Sequence, residues 1–143
     1  MNKISLIVPC YNEEANIKPF YNAIMEIYTG GGINDADFEL LFVNDGSKDN
    51  TLQEIRAVHE KDSRVKCVSF SRNFGKEAAL FAGIRNVTGD CTVLLDADLQ
   101  HPPFVLVEMY KKWKEGYEVV EGVKSNRGKE GLFHKLSQKF STE

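Results

Sequence analysis

The chain has 143 residues, of which 42% are hydrophobic and 27% charged, a globular mix long enough to bury a core without disulfide or metal staples. No stretch approaches the roughly 18 consecutive apolar residues of a membrane span, and Pro9, Asn12, Glu13 and Glu14 interrupt the first apolar run where a secretory leader would need one. Residues 1–110 hold 10 Lys/Arg against 16 Asp/Glu, and residues 111–143 hold 8 against 5. That balance excludes the basic footprint of a nucleic-acid binder, although the sign change sets the tail apart.

Elements alternate along the chain. Ile4–Val8 reads as a strand buried on both faces and stopped by Pro9. A helix is expected from Glu13 to about Tyr28, with Ile17, Phe20, Tyr21, Ile24 and Tyr28 at three-four spacing before Gly30-Gly31-Gly32. Phe38–Val43 is a second strand, and Asp49 or Asn50 can cap a helix over Thr51–Glu60. Val65–Phe70, a helix from Lys76 to Asn86, and Cys91–Leu95 follow. Pro102-Pro103 can start a helix that runs to Glu115, and Glu118–Val123 is a fifth strand. Four strand–helix alternations predict an α/β domain with a mostly parallel sheet and helices on both faces. Cys10, Cys67 and Cys91 match neither a disulfide framework nor a zinc pattern. Cys67 and Cys91 are expected as buried thiols in a reducing, cytoplasmic compartment.

Ligands of an open parallel sheet bind outside the carboxyl ends of its strands. Those ends are residues 9–13, 44–47, 71–76 and 96–100, all polar or acidic. The first lacks the glycine-rich turn of a dinucleotide site, and no Gly-Lys-Ser/Thr phosphate loop occurs anywhere, so NAD and P-loop ATP chemistry fit poorly. Asp96-Ala97-Asp98 is the sharpest feature. If the backbone stays extended, both carboxylates project to one side and Gln100 continues the alternation. Two acids and an amide oxygen suit Mg²⁺ or Mn²⁺, with a diphosphate completing the shell. The plainer alternative is a turn whose acids are solvated or cap the next helix. Asp45 can accept a hydrogen bond from a ribose hydroxyl or base N–H, or simply close an Asx-turn at Asn44-Asp45-Gly46. Tyr11 can stack on a base or pack locally. Lys76 can favour phosphate or remain solvated.

These residues carry a resemblance. Val8-Pro9-Cys10-Tyr11-Asn12-Glu13-Glu14, Val43-Asn44-Asp45-Gly46-Ser47, Ser71-Arg72-Asn73-Phe74-Gly75-Lys76 and Asp96-Ala97-Asp98-Leu99-Gln100-His101-Pro102-Pro103 resemble family 2 of the inverting glycosyltransferases, in particular its dolichyl-phosphate mannose synthase and bactoprenol glucosyltransferase branch. The resemblance implies a GT-A fold and a UDP- or GDP-linked sugar donor. By position, Pro9, Tyr11, Glu13, Val43 and Asp45 would hold the nucleoside, Asp96 and Ala97 would line the sugar-nucleotide site, and Lys124 would reach the diphosphate. Asp98 and Gln100 would coordinate the metal. Asp96 and Asp98 are the expected catalytic pair.

The same resemblance implies a polyprenyl phosphate acceptor, already an anion at neutral pH, which would need no general base. A polysaccharide or other hydroxyl acceptor, or a binding module without turnover, are the alternatives. Residues 1–123 are expected to form the nucleotide-sugar-binding catalytic domain. Residues 124–143 would form a basic amphipathic tail, with Leu132, Phe133, Leu136 and Phe140 on one face of a helix. Such a helix reads either as interfacial, at the cytoplasmic face of a membrane, or as packed on the domain. Relatives are roughly twice as long, so the chain reads as the catalytic half of a larger protein.

Overall fold

In the computed structural model, which describes residues 1–99, 104–117, 119–122 and 133–138, the two longest apolar runs become the central strands of a parallel sheet. Strand β1 (Asn2–Cys10) lies beside β2 (Ala36–Asn44), with Ile4 opposite Phe38 and Pro9 opposite Val43. β3 (Val65–Ser69) flanks β2, and β4 (Cys91–Leu94) flanks β1. The order is therefore β3-β2-β1-β4, all parallel.

Strand alternation sorts the core into two layers. Ile4, Leu6 and Val8 of β1 and Phe38, Leu40 and Phe42 of β2 face helices α1 (Ile17–Thr29), α2 (Thr51–Lys61) and α4 (Phe104–Lys114) through Phe20, Ile55 and Leu106. Ile7, Leu41 and Val43 face the other way, onto Ala79 of α3 (Lys76–Arg85). Each fully buried aliphatic or aromatic side chain of this kind contributes roughly 1.5–3 kcal/mol. Helices thus cover both faces, as the sequence predicts. α3 packs tightly because residue 83 is glycine: a Cβ there would stand 2.6 Å from Ile7 Cγ2. That approach fixes where the amino end of α3 points.

Three expectations need correction. First, α1 starts at Ile17 rather than Glu13. Pro19 has no N–H to donate to the carbonyl of residue 15, so it fits only within the first turn, and residues 13–16 form a separate turn closed by the Asn16 N–H to the Glu13 carbonyl. Second, the expected fifth strand and the expected tail helix pair with each other. β5 (Val119–Gly122) and β6 (Phe133–Gln138) form an antiparallel two-stranded sheet, Gly122 opposite Phe133, separate from the parallel sheet. Apolar spacing over so short a run does not choose between helix and strand, and a partner strand satisfies the backbone where an isolated two-turn helix is marginal. The rest of the tail, with Leu132 and Phe140, lies outside the described residues. Third, Cys10 is the buried thiol, whereas Cys67 and Cys91 are only partly buried. Among the described residues, no helix is long and apolar enough to cross a membrane.

Candidate functional site

The strand order reverses between β1 and β4, because α1 and α2 cross one face of the sheet and α3 crosses the other. The carboxyl ends of β1 and β4 therefore diverge and leave a crevice. Its walls are built from backbone groups tied to side chains. The Asn12 N–H donates to Ser47 Oγ (2.9 Å), and Asn12 Oδ1 accepts from the Lys48 N–H (2.8 Å). The Glu13 N–H donates to Thr51 Oγ1 (2.8 Å), and the Glu13 carboxylate accepts from Asn16 Nδ2 (2.6 Å). Asn50 is the N-cap of α2 but makes no side-chain cap bond; Asp49, just before it, accepts from the Thr51 N–H at 2.9 Å. These bonds lock the loops after β1 and β2 together.

Asp45 joins a third loop. It is 4% exposed, and its two carboxylate oxygens accept the N–H groups of Phe74 (2.7 Å) and Gly75 (3.0 Å). The Asx-turn here belongs to Asn44, whose Oδ1 accepts from the Ser47 N–H at 3.2 Å. Gly46 sits at φ +71°, and a Cβ on it would collide with the backbone of Arg72 and Asn73, so only glycine lets the loops after β2 and β3 touch. The bond to Gly75 places the next residue, Lys76, at the start of α3. Its ammonium is 3.2 Å from Asp96 Oδ1.

The acidic pair does not project from an extended strand. β4 ends at Leu94, and residues 96–99 form a turn in which the Leu99 N–H reaches the Asp96 carbonyl (3.3 Å) with Leu99 at φ +57°. Once the strand has ended, the two-residue alternation no longer governs. Ala97 turns inward and is 2% exposed in the core, Asp96 is half-exposed, and Asp98 is exposed. The outcome is nearer the turn alternative, with one acid facing the crevice.

The crevice encloses about 170 Å³ and is lined by Pro9, Cys10, Tyr11, Glu13, Asp45, Lys76 and Asp96. Five of the expected site residues, Pro9, Tyr11, Glu13, Asp45 and Asp96, thus come together. Val43 is buried against α3 and Ala97 in the other core layer, so neither offers a side chain to the crevice. Asp98 is on the same turn as Asp96 but not on the crevice wall. Gln100 and Lys124 lie outside the described residues. Lys76 also lines the crevice, although its local sequence, a lysine in the first turn of a helix, is that of a residue usually solvated. The signal was its place at a third strand end. Cys10 also lines the wall, but burial, reinforced by Glu13, pushes its thiol pKa up, so it stays protonated and is no nucleophile.

The donor set fits a hard divalent ion. Asp96 and Asp98 offer carboxylate oxygens on one short turn, the ligand type Mg²⁺ and Mn²⁺ prefer. Among the described residues, no group of three or more His, Cys, Asp or Glu side chains could hold a metal. Such an ion would therefore draw on further oxygens, as Mg²⁺ commonly does with substrate phosphates.

The sequence profile of glycosyl transferase family 2 matches residues 5–142. The chain belongs to glycosyl transferase family 2. It is 47% identical to an uncharacterized glycosyltransferase, YkcC, of Bacillus subtilis, over 92% of this chain and 40% of that protein. It is 41% identical to the bactoprenol glucosyl transferase of Shigella phage SfX, over 98% of this chain and 48% of that one. The chain thus spans about half the length, or less, of these family 2 relatives. Among solved structures, the mannosyltransferase PcManGT of Pyrobaculum calidifontis, in complex with GDP-Man and Mn²⁺, matches with a TM-score of 0.63 at 28% identity. The match covers 77% of this chain and 32% of that one. The four-stranded parallel sheet with its helices is that of the GT-A glycosyltransferases.

Proposed function

We propose that the crevice binds a nucleoside-diphospho-sugar and that the protein transfers the sugar, with inversion, to a polyprenyl phosphate. The observation that carries this reading is the meeting of Tyr11, Asp45, Lys76 and Asp96 at the switch point of the sheet, in a family 2 chain similar to a bactoprenol glucosyl transferase. Tyr11, 42% exposed, offers a ring face for the base. Asp45 already holds two backbone N–H groups, and each oxygen keeps a lone pair for the nucleoside. Pro9, Glu13 and Val43 would shape the floor through their backbone, since the Glu13 carboxylate is engaged with Asn16 and Val43 is buried.

In the reaction, an oxygen of the acceptor phosphate attacks the anomeric carbon from the face opposite the leaving group. The carbon–oxygen bond to the nucleoside diphosphate breaks, and its electron pair leaves on that diphosphate. The acceptor is an anion from the start, so positioning supplies most of what catalysis needs and no side chain has to remove a proton. Asp98 and Gln100 would hold a Mg²⁺ or Mn²⁺ ion, which would supply Lewis-acid charge toward the diphosphate. A lipid acceptor places the reaction at a membrane surface, where the basic residues Lys124, Arg127, Lys129, Lys135 and Lys139 favour anionic headgroups.

The test is calorimetric titration of the intact protein with UDP and GDP, each with Mn²⁺ and with EDTA, followed by transfer from the matching sugar nucleotide to a polyprenyl phosphate. Metal-dependent binding of one nucleotide and a glycosylated lipid are expected, and Asp98→Asn should remove the metal dependence. Binding of neither nucleotide refutes the donor site. Donor binding with sugar passing only to hydroxyl acceptors refutes the lipid-phosphate reading.

A further inference from the structure

We propose that the outward face of α3 is a contact between two copies of this chain, laid antiparallel across a two-fold axis at Phe81. The contact is independent of the donor-site reading above.

α3 is apolar on both sides. Ala79 and Gly83 are buried against the sheet, and Leu80 and Ala82 pack, half-buried, on the same core layer. Phe81 and Ile84, on the other side, are 61% and 55% exposed. A surface helix ordinarily keeps one apolar stripe for the core and turns polar residues to water. Neither α1 nor α2 leaves a large apolar side chain so exposed. Residues three apart on a helix are neighbours, so Phe81 and Ile84 form one patch, open among the described residues.

The charges beside the patch select what covers it. Glu77 lies one turn before Phe81 and Arg85 one turn after, which sets the three in a row along the outside of the helix. The Arg85 guanidinium stands 5.6 Å from the Phe81 ring centroid. Among the described residues the Glu77 carboxylate makes no ion pair or hydrogen bond. A carboxylate in this row suits neither an apolar cover, which strips its water, nor an anionic lipid surface, which repels it. It suits a surface with a cation at the mirrored position, and α3 itself is such a surface.

When two α3 helices run antiparallel with Phe81 at the axis, residue 77 of each comes level with residue 85 of the other, because both stand four residues from the axis. The two Phe81 rings meet, Ile84 widens the apolar middle, and a Glu–Arg pair closes each end. That is the self-complementarity an isologous contact requires. A parallel arrangement would set Glu77 against Glu77 and Arg85 against Arg85, so the charges also fix the direction. Gly83 seats α3 closely against Ile7, which presents the row on a rigid support. One ten-residue helix offers less than the roughly 800 Å² per partner of a stable complex, so the dimer is weak and depends on concentration.

The test is sedimentation velocity of the intact protein from micromolar to near-millimolar concentration, with melting temperature as the check on folding. The wild type should pass from monomer to dimer. Phe81→Ser should weaken association about a hundredfold, roughly tenfold for each of the two rings removed. Glu77→Arg alone and Arg85→Glu alone should each stay monomeric, since each places like charges at both ends. Mixed in equal amounts, those two variants should form a heterodimer, and the double variant should dimerise like the wild type. A wild type that stays monomeric throughout overturns the proposal, as does a dimer that Phe81→Ser leaves intact. Failure of the mixed variants to associate overturns the antiparallel pairing. A monomer that binds phosphatidylglycerol vesicles, and loses them with Phe81→Ser, would assign the face to lipid instead and also overturn it.

Discussion

Glu39 in the amino-terminal half of β2 and Asp96 beyond the carboxyl end of β4 each face a lysine at nearly the same distance, 3.1 Å to Lys66 and 3.2 Å to Lys76. Their surroundings differ. The Glu39 side chain is 2% exposed and also accepts from Ser5 Oγ (2.5 Å) and the Thr88 N–H (2.5 Å), while Ser5 Oγ accepts from the Gly89 N–H (2.8 Å). Burial alone would raise its pKa, but the bonds from Ser5, Thr88 and Lys66 outweigh it and hold the carboxyl down at about 2. The Asp96 side chain is 41% exposed and pairs with Lys76. The same pair of charges is thus a structural fixture at one end of the sheet and a solvent-exposed contact at the other. Desolvation and the number of hydrogen bonds make the difference, not the residue types.

The largest effect is expected at Glu39. Glu39→Leu leaves the Thr88 N–H, Ser5 and Lys66 without their acceptor and should cost about 3 kcal/mol, read as a lower denaturant midpoint. A loss under about 1 kcal/mol would mean the network is no fixture. Titration tests the same point more gently. The folded pKa of Glu39 is below its ordinary 4.5, so its stabilisation is complete above about pH 5 and drains away as pH falls from there through about 2. Melting temperature should fall across that window, and Glu39→Gln should flatten the fall in part. Asp62, held near 2 by Arg64, supplies a similar slope that remains.

Asp45 stands between the two extremes, buried yet on the crevice wall. Asp45→Ala removes two charge-assisted bonds at the edge of solvent and should cost about 1–2 kcal/mol. The Phe74 and Gly75 amides should exchange hydrogen faster, and unchanged exchange would show that another contact holds the loop. The smallest effect on folding is expected at Asp96. Asp96→Asn breaks only an exposed ion pair, so stability should stay within about 0.5 kcal/mol of the wild type. A larger loss would make this pair a second Glu39.

Much of the fold was legible from the chain because Ile4–Val8 and Phe38–Val43 are apolar runs too short for buried helices and bounded by Pro9 and Asn44-Asp45-Gly46. The motif residues Pro9, Tyr11, Asp45 and Asp96 were legible for a related reason: each lies at or just beyond the carboxyl end of a strand, and parallel strands bring those ends to one edge. The start of α1 is encoded locally too, because Pro19 fits only in the first turn of a helix.

Other features depended on contacts that no local pattern encodes. Phe133–Gln138 becomes a strand because β5 is there to pair with it. The acidic turn separates Asp96 from Asp98 because Ala97 finds room in the core once β4 has ended. Lys76 joins the site only because Asp45, thirty residues earlier, holds Gly75 by its backbone. Sequence by itself determined the strands, the alternation and the polar strand ends, which follow from short-range periodicity and hydrophobicity. Tertiary structure decided which carboxylate is sealed and which is exposed. That depends on how many donors converge and how much water is excluded, quantities that exist only after distant segments have packed.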